Sequence, residues 1–494
     1  ELLNGGSYRN RTTLLGDIVD SSPTYVSATG TVYVGANDGM LHAFDASSGE
    51  ELFAYIPASV VGDDLASLAS TDYSHKYFVD GPITVSTTSQ TSNKNILVGA
   101  LGRGGKGLYA LNVTSPASFS ASNVLWEVTE TTGTTGNMGK ILGQPFIAKL
   151  NDGSTALVTG NGFNSTNGCP VLLIYNVTTG ALIKQISAGS TYCGTGTTYT
   201  TTNGLNAPTG WDDDSSGTVD YVYAADLQGH VWKFDLSSTS TSSWGLSNSS
   251  KPVFTATYTS GSTSTAQPIT SGVLLAENAS TGDTWVFVGT GKYLEESDIT
   301  DTSVQTMYGF IDSTSSSTST TLTPSDLKSR AMYSTTTTAS DGTSTSVRSF
   351  EAYSTLASTY QGWYINLVID DDEEGERVVQ TPESSGNYLI FSTIIPSEDT
   401  GCSSSGTSWI YALNMFTGTS NSSSYFDLND DGTADTTALG TAVGGVSVGT
   451  GMTSLAALLN GLLVTSDSSG TLTSTTTVSG SGVRVSWREV RKED

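Results

Sequence analysis

VYVGANDGMLHAFDASSGEELFAYIP, residues 32–57, decides the fold class. A strand of β-branched and aromatic residues runs into a glycine-containing turn, and a second strand carrying an aromatic follows and ends in Asp45. Asn37-Asp38-Gly39 supplies the positive-φ positions of one hairpin turn and Ser47-Ser48-Gly49 those of the next, so three antiparallel strands are expected. The unit recurs as ILVGALGRGGKGLYALNVT (96–114), ALVTGNGFNSTNGCPVLLIYNVTTGALI (156–183) and YVYAADLQGHVWKFDLSS (221–238). WVFVGTGKYL with MYGFID, YLIFSTIIP with SWIYALNMFTG, and LLVTSDSSGTLT complete a set of about seven units.

One such sheet cannot bury both faces, whereas sheets arranged radially bury one another and leave only short edges. An all-β propeller is therefore expected, as a single domain over residues 15–490. Residues 1–14 read as a lead-in from an upstream region and 491–494 as a tail. The Ser/Thr-rich stretches 237–265 and 313–347 read as insertions of flexible or extended character. Helical signal is weak, and a short helix from Ala58 to Leu68 is the best candidate.

Composition bounds the function. The 494 residues hold 54 glycines, only 12 prolines and 22 tyrosines, with 36% hydrophobic residues, which fits a folded chain of many short elements. Forty-seven acidic against 20 basic residues give a net charge of −27, which repels a phosphate backbone and argues against nucleic acid. Cations are the natural counter-species, although an acidic surface also serves simply to keep an exported protein soluble. Of three cysteines, Cys169 and Cys193 are expected to close a loop in an exported protein, leaving Cys402 to a partner elsewhere or free. No apolar run is long enough to span a membrane, and the chain reads as a mature or truncated piece whose surface attachment lies upstream or with partners.

The sharpest chemical signal is an acidic loop, Asp427-Leu-Asn429-Asp-Asp431-Gly432-Thr433-Ala-Asp435. Side-chain oxygens at positions 1, 3, 5 and 9, the backbone carbonyl of Thr433 at position 7, and a glycine at the sharp turn suit a hard cation that takes six to eight oxygens, which makes Ca2+ the natural occupant. A second copy runs Asp212-Asp-Asp214-Ser-Ser216-Gly217-Thr218-Val-Asp220, with Ser216 in place of a carboxylate or amide and therefore weaker binding expected. The bidentate glutamate that closes an EF-hand is replaced by Tyr223 in one loop and Ala438 in the other. The first loop runs straight into the strand from Tyr221, so an ion there would brace a hairpin turn. The plain alternative is an acidic turn that holds no ion.

Catalytic patterns fail on context. Gly445-Val-Ser447-Val-Gly449 matches a nucleophile elbow, but His42, His75 and His230 all precede it, so a turn is expected. Gly102-Arg-Gly104-Gly105-Lys106-Gly107 precedes a strand where a dinucleotide loop needs a helix, and reads as a tight hairpin. Lys292 is followed by Tyr293, which rules out a P-loop. The histidines read as buried rings with one hydrogen bond each, and Trp211, Trp232, Trp285 and Trp409 as packing residues.

LGDIVDSSPTYV (15–26), YVGANDGMLHAFDA (33–46), HKYFVDGPITV (75–85), KILGQPFIAKLNDG (140–153), YVYAADLQGHVWKFDL (221–236), VFVGTGKYL (286–294), SWIYALN (408–414) and VSWREV (485–490) together resemble the PilC/PilY family, in order along nearly the whole chain. The resemblance implies a modified seven-bladed propeller at the C-terminal end of a larger protein at the type IV pilus tip. It implies roles in pilus assembly, control of extension against retraction, and adhesion, with minor pilins and a surface or host ligand as partners. It also implies calcium in both acidic loops, an extracellular location and no catalytic activity. No Arg-Gly-Asp occurs in the sequence, which puts integrin adhesion in doubt. A quinoprotein-type propeller dehydrogenase shares the V-x-V-G…L-x-A-x-D unit, and a purely structural secreted propeller is a further reading; neither has its own supporting motif here.

Overall fold

The computed structural model describes residues 7–11, 13–194, 202–312, 320–338, 344–397, 406–428, 435–450, 457–459, 462–466 and 472–477. Strands dominate. The stretch that opened the reading folds as Thr31–Gly35, Leu41–Asp45 and Glu51–Tyr55, and Thr24–Val26 adds a fourth antiparallel strand that the repeat had not disclosed. We label this sheet I. Sheet II comprises Ile83–Val85, Ile96–Ala100, Gly107–Asn112 and Val124–Thr129; sheet III comprises Phe146–Lys149, Thr155–Gly160, Val171–Asn176 and Leu182–Ser187. Each is a simple antiparallel meander, because turns such as Asn37-Asp38-Gly39 and Gly102-Arg103-Gly104 are too short for any other connection.

The later sheets accept non-sequential strands. Sheet IV runs Thr209–Trp211, Tyr221–Ala225, His230–Asp235, Gly245–Leu246, with Phe254–Thr255 beside the third. Sheet V places Leu274–Asn278, Asp283–Gly289, Thr306–Ile311 and Gly362–Asn366 in order and adds Lys328–Arg330 in parallel. Sheet VI is centred on Tyr388–Ile395 and Thr407–Asn414 and recruits Gly445–Thr450, Ser344–Phe350 and Met332–Thr338. Sheet VII joins Phe426–Asp427 to Leu472–Thr477, Leu462–Ser466 and Ala457–Leu459. Seven sheets of four or more strands agree in number with the repeat units, and an eighth is the small hairpin Thr257–Ser260 with Thr263–Ala266.

The contacts group into two compact units, Glu1–Ala224 with Phe234–Leu246, and Ala225–Lys233 with Ser247–Asp494. In the first, sheet II is buried on both faces. Leu97, Tyr109 and Leu111 point into a cluster with Tyr33, Leu41 and Ala43, while Ile96, Val98, Leu108 and Ala110 point into another with Ile147, Leu157 and Leu173. Successive strand residues face opposite sides, so a strand covered on both faces reads as an unbroken apolar run. In the second unit, sheet VI repeats the arrangement: Leu389, Phe391, Tyr411 and Leu413 enter one cluster, Tyr388, Ile390, Ile410 and Ala412 the other.

Several expectations need correction. Gly445–Thr450 is a strand, not a turn: Gly445 sits opposite Tyr411 in the ladder, where a Cβ would lie 2.6 Å from the tyrosine ring. The 313–347 stretch is more than a decoration, since its described residues supply strands to sheets V and VI. The Ala58 to Leu68 segment breaks into Ala58–Val60 and Ser67–Ala69, both 3-10, around the four-residue helix Asp63–Ala66. Cys169 and Cys193 are disulfide-bonded as expected, and Cys402 lies outside the described residues, as does VSWREV.

Candidate metal centre

The loop 212–220 connects two paired strands, with Thr209 opposite Tyr223 and Trp211 opposite Tyr221. Its ends are closed by the Asp220 N–H, which donates to the Trp211 carbonyl at 2.9 Å. Inside the turn the Asp212 carboxylate accepts from the Ser216 N–H at 3.0 Å and the Gly217 N–H at 2.9 Å, and Asp214 accepts from the same Ser216 N–H at 3.0 Å. Ser215 and Gly217 take φ of +60° and +89°, the left-handed steps that fold the loop back on itself. One oxygen of Asp220 accepts from the Asp213 N–H at 2.9 Å.

This backbone frame brings three carboxylates together. Ligand oxygens of Asp212, Asp214 and Asp220 all lie within 4.8 Å of one another, and no other such acidic, histidine or cysteine group of three occurs among the described residues. Asp212 and Asp220 are buried, 7% and 6% exposed, while Asp214 faces solvent. The Ser216 hydroxyl and then its N–H hold the Asp214 carboxyl below the usual range, so it is ionised at neutral pH. Gathered, ionised oxygens are the donor set a hard cation prefers. The Thr218 carbonyl and the Ser216 hydroxyl stand at the remaining loop positions, although the serine oxygen pairs with the Thr218 hydroxyl at 2.8 Å. The three carboxylates are placed to hold a metal ion.

Asn151 belongs to the site and was not visible in the motif. Its Nδ2 donates to Asp220 at 2.9 Å and to the carbonyls of Val219 and Leu236, both at 3.2 Å, and its Oδ1 accepts from the Thr218 hydroxyl at 2.9 Å. It lies in the turn between the first two strands of sheet III. The Asn-Asp-Gly at 151–153 reads as a turn signal, which gave no hint that its amide reaches a loop some sixty residues on.

The second loop shares the frame at its two ends. The Asp435 N–H donates to the Phe426 carbonyl at 3.2 Å, and the Asp435 carboxylate accepts from the Leu428 N–H at 2.5 Å, the same two bonds that Asp220 makes. Asp427 is 2% exposed. Here the leading strand pairs with Leu472–Thr477 and not with the residues after the loop. Asn429, Asp431 and Thr433 lie outside the described residues.

The histidines have carboxylate partners. His42 contacts Glu51 at 2.5 Å and Asp38 at 3.2 Å, using both ring nitrogens where one bond was expected. His230 contacts Asp226 at 3.0 Å. His75 meets Asp17 at 2.7 Å and is half-exposed, not buried, because it sits in an open loop. Trp211, Trp232 and Trp285 are buried and Trp409 partly so, as packing residues.

The model of the PilY1 β-propeller domain family matches residues 15–345. The chain belongs to the PilY1 β-propeller family. Among PilY1 proteins, a "Type IV pilus biogenesis factor PilY1 homolog" of Xylella fastidiosa is 34% identical over 98% of this chain and 39% of its own length. The "Type IV pilus biogenesis factor PilY1" of Pseudomonas aeruginosa strain UCBPP-PA14 is 33% identical over 87% of this chain and 42% of its own. The chain thus spans about two fifths of these PilY1 relatives. The crystal structure of the Pseudomonas aeruginosa PilY1 C-terminal domain superposes with a TM-score of 0.71 at 29% identity, covering 91% of this chain and 93% of that one.

Proposed function

We propose that this chain is the calcium-binding propeller of a type IV pilus biogenesis factor, acting outside the cell at the pilus tip. It works with minor pilins in pilus assembly and in the balance of extension and retraction, and contributes to surface attachment. Membership of the PilY1 family, whose relatives carry the name of pilus biogenesis factor, supports the role. The observation that carries the calcium reading is the convergence of Asp212, Asp214 and Asp220 within 4.8 Å on a nine-residue hairpin loop, with Asp427 and Asp435 at the ends of a second loop of the same spacing. A metal that ties this loop would stiffen sheet IV at its hairpin, a mechanical role and not a catalytic one.

Calorimetric titration of calcium into chelator-treated protein tests the reading. Two binding events are expected, the first lost in Asp212→Ala and the second in Asp427→Ala; heat unchanged in both variants removes calcium from the account. Pilus number and twitching zones of strains carrying the same variants test the pilus role separately, with undiminished piliation and twitching counting against it.

A further inference from the structure

The polypeptide from Gly16 to Ser21 lies against the turns of sheets I and II with Ile18 and Val19 40% and 52% exposed. Polar contacts tie it there. The Gly16 N–H donates to Asp38 at 2.7 Å, the Asp17 carbonyl accepts from the Asn37 N–H at 2.9 Å, and the Ser21 hydroxyl accepts from the Gly35 N–H at 2.9 Å. The Asp20 N–H donates to Oδ1 of Asp80 at 3.2 Å.

Asp80 is 1% exposed, and its second oxygen, Oδ2, is buried without a hydrogen-bond partner. A buried carboxylate oxygen with no donor is a costly arrangement unless a proton or a cation occupies it. The neighbouring carboxyl is that of Asp20, whose charge acts on Asp80 and whose other contact is the Arg103 Nε–H at 2.9 Å. Asn37 bridges the group, donating to Asp17 at 3.0 Å and to Asp80 at 3.5 Å. Lys140, on the approach to sheet III, gives Asp80 little compensation, because burial and then the charges of Arg103 and Lys106 disfavour its ammonium form. A metal is the weaker occupant: Asp17, Asp20 and Asp80 do not bring three ligand oxygens within the 4.8 Å that the 212–220 loop achieves.

We propose that Asp80 and Asp20 share a proton, and that this carboxyl pair is a pH-sensitive clasp that fastens residues 16–21 to sheets I and II in acid and loosens as the proton is lost. Burial first, and then the Asp20 charge, raise the Asp80 carboxyl to about 7. With the clasp open the carboxyl returns to the ordinary range near 4, so between these values the closed form holds a proton that the open form lacks. The fastening therefore weakens as pH rises through that window and levels off above it.

Hydrogen exchange of the 16–21 amides, corrected for intrinsic rates, reads the clasp. Protection is expected to fall by up to about tenfold per pH unit between pH 5 and pH 7. Asp80→Asn supplies a permanent N–H donor toward Asp20 and is expected to remove the slope; Asp20→Asn, which removes the repulsion, serves if that variant does not fold. His75 pairs with Asp17, and His42 lies between Asp38 and Glu51 in the same neighbourhood, so His75→Asn and His42→Gln are the controls and are expected to keep the slope. A slope that persists in Asp80→Asn or vanishes in His75→Asn overturns the proposal. Calcium restoring protection at pH 7 in the wild type but not in Asp80→Asn also overturns it, in favour of a bound cation.

Discussion

Asp220 and Asp214 carry the same charge in the same loop, yet their surroundings give them different work. Asp220 is buried and accepts from both the Asp213 N–H and Asn151 Nδ2, so it holds the loop shut whether or not an ion is present. Replacing it with asparagine points a donor at one of those donors, and a buried group left without a partner costs about 1–3 kcal/mol. Asp220→Asn is therefore expected to lower the denaturation midpoint in chelator as well as calcium affinity. Asp214→Asn is expected to weaken calcium by roughly tenfold, through loss of ligand charge, with the chelated midpoint unmoved. Asn151→Ala should follow Asp220, since its amide ties Asp220, Val219 and Leu236 together. Equal midpoints for Asp214→Asn and Asp220→Asn in chelator would refute the distinction.

Glycines opposite aromatics are the recurring device at the scale of the strand. Gly99 faces Tyr109, Gly309 faces Trp363 and Gly445 faces Tyr411, each as a direct ladder pair. A Cβ on Gly99 would lie 2.2 Å from the Tyr109 oxygen, and on Gly309 2.7 Å from the Trp363 ring. The ring lies over the glycine and fills the space its missing side chain leaves, which lets sheet II carry a tyrosine into a core that is closed on both faces. Gly99→Ala is expected to destabilise by about 1–3 kcal/mol, the usual cost of overpacking, and a second change of Tyr109→Leu to recover part of it. Chemical denaturation of the two single variants and the double variant measures the recovery; strict additivity would show that the pair does not pack as described. The same pairing explains why Gly445-Val-Ser447-Val-Gly449 is a strand: its first glycine is required by Tyr411 and not by a catalytic turn.

The proposed calcium and the net charge would act on the whole chain. With 47 acidic and 20 basic residues, removal of a divalent ion leaves more unbalanced negative charge around the acidic loops. Loop 212–220 lies between the strands Thr209–Trp211 and Tyr221–Ala225, so chelation is expected to lower the melting temperature while leaving the far-ultraviolet dichroism of the sheets intact. At a calcium concentration a hundred times the dissociation constant, one site adds about 2.7 kcal/mol of stability. A melting temperature insensitive to calcium would contradict this.

The sheets were legible because hairpin chemistry is local. Asn37-Asp38-Gly39 and the unbroken apolar run around Leu97 and Val98 depend on neighbours within a few residues, and so does the spacing of Asp212, Asp214 and Asp220, which share one loop. Local sequence therefore determined the strands, the all-β class and the acidic loops, while the family followed from motifs in order along the chain. Tertiary structure alone decided which distant groups meet. Asn151 reaches Asp220 from another sheet, Asp80 meets Asp20 across 60 residues, and Ser344–Phe350 crosses to pair with Gly445–Thr450. These contacts arise when separate turns are packed side by side by buried apolar faces, and the pattern along any one strand carries no record of which turn will lie next to it.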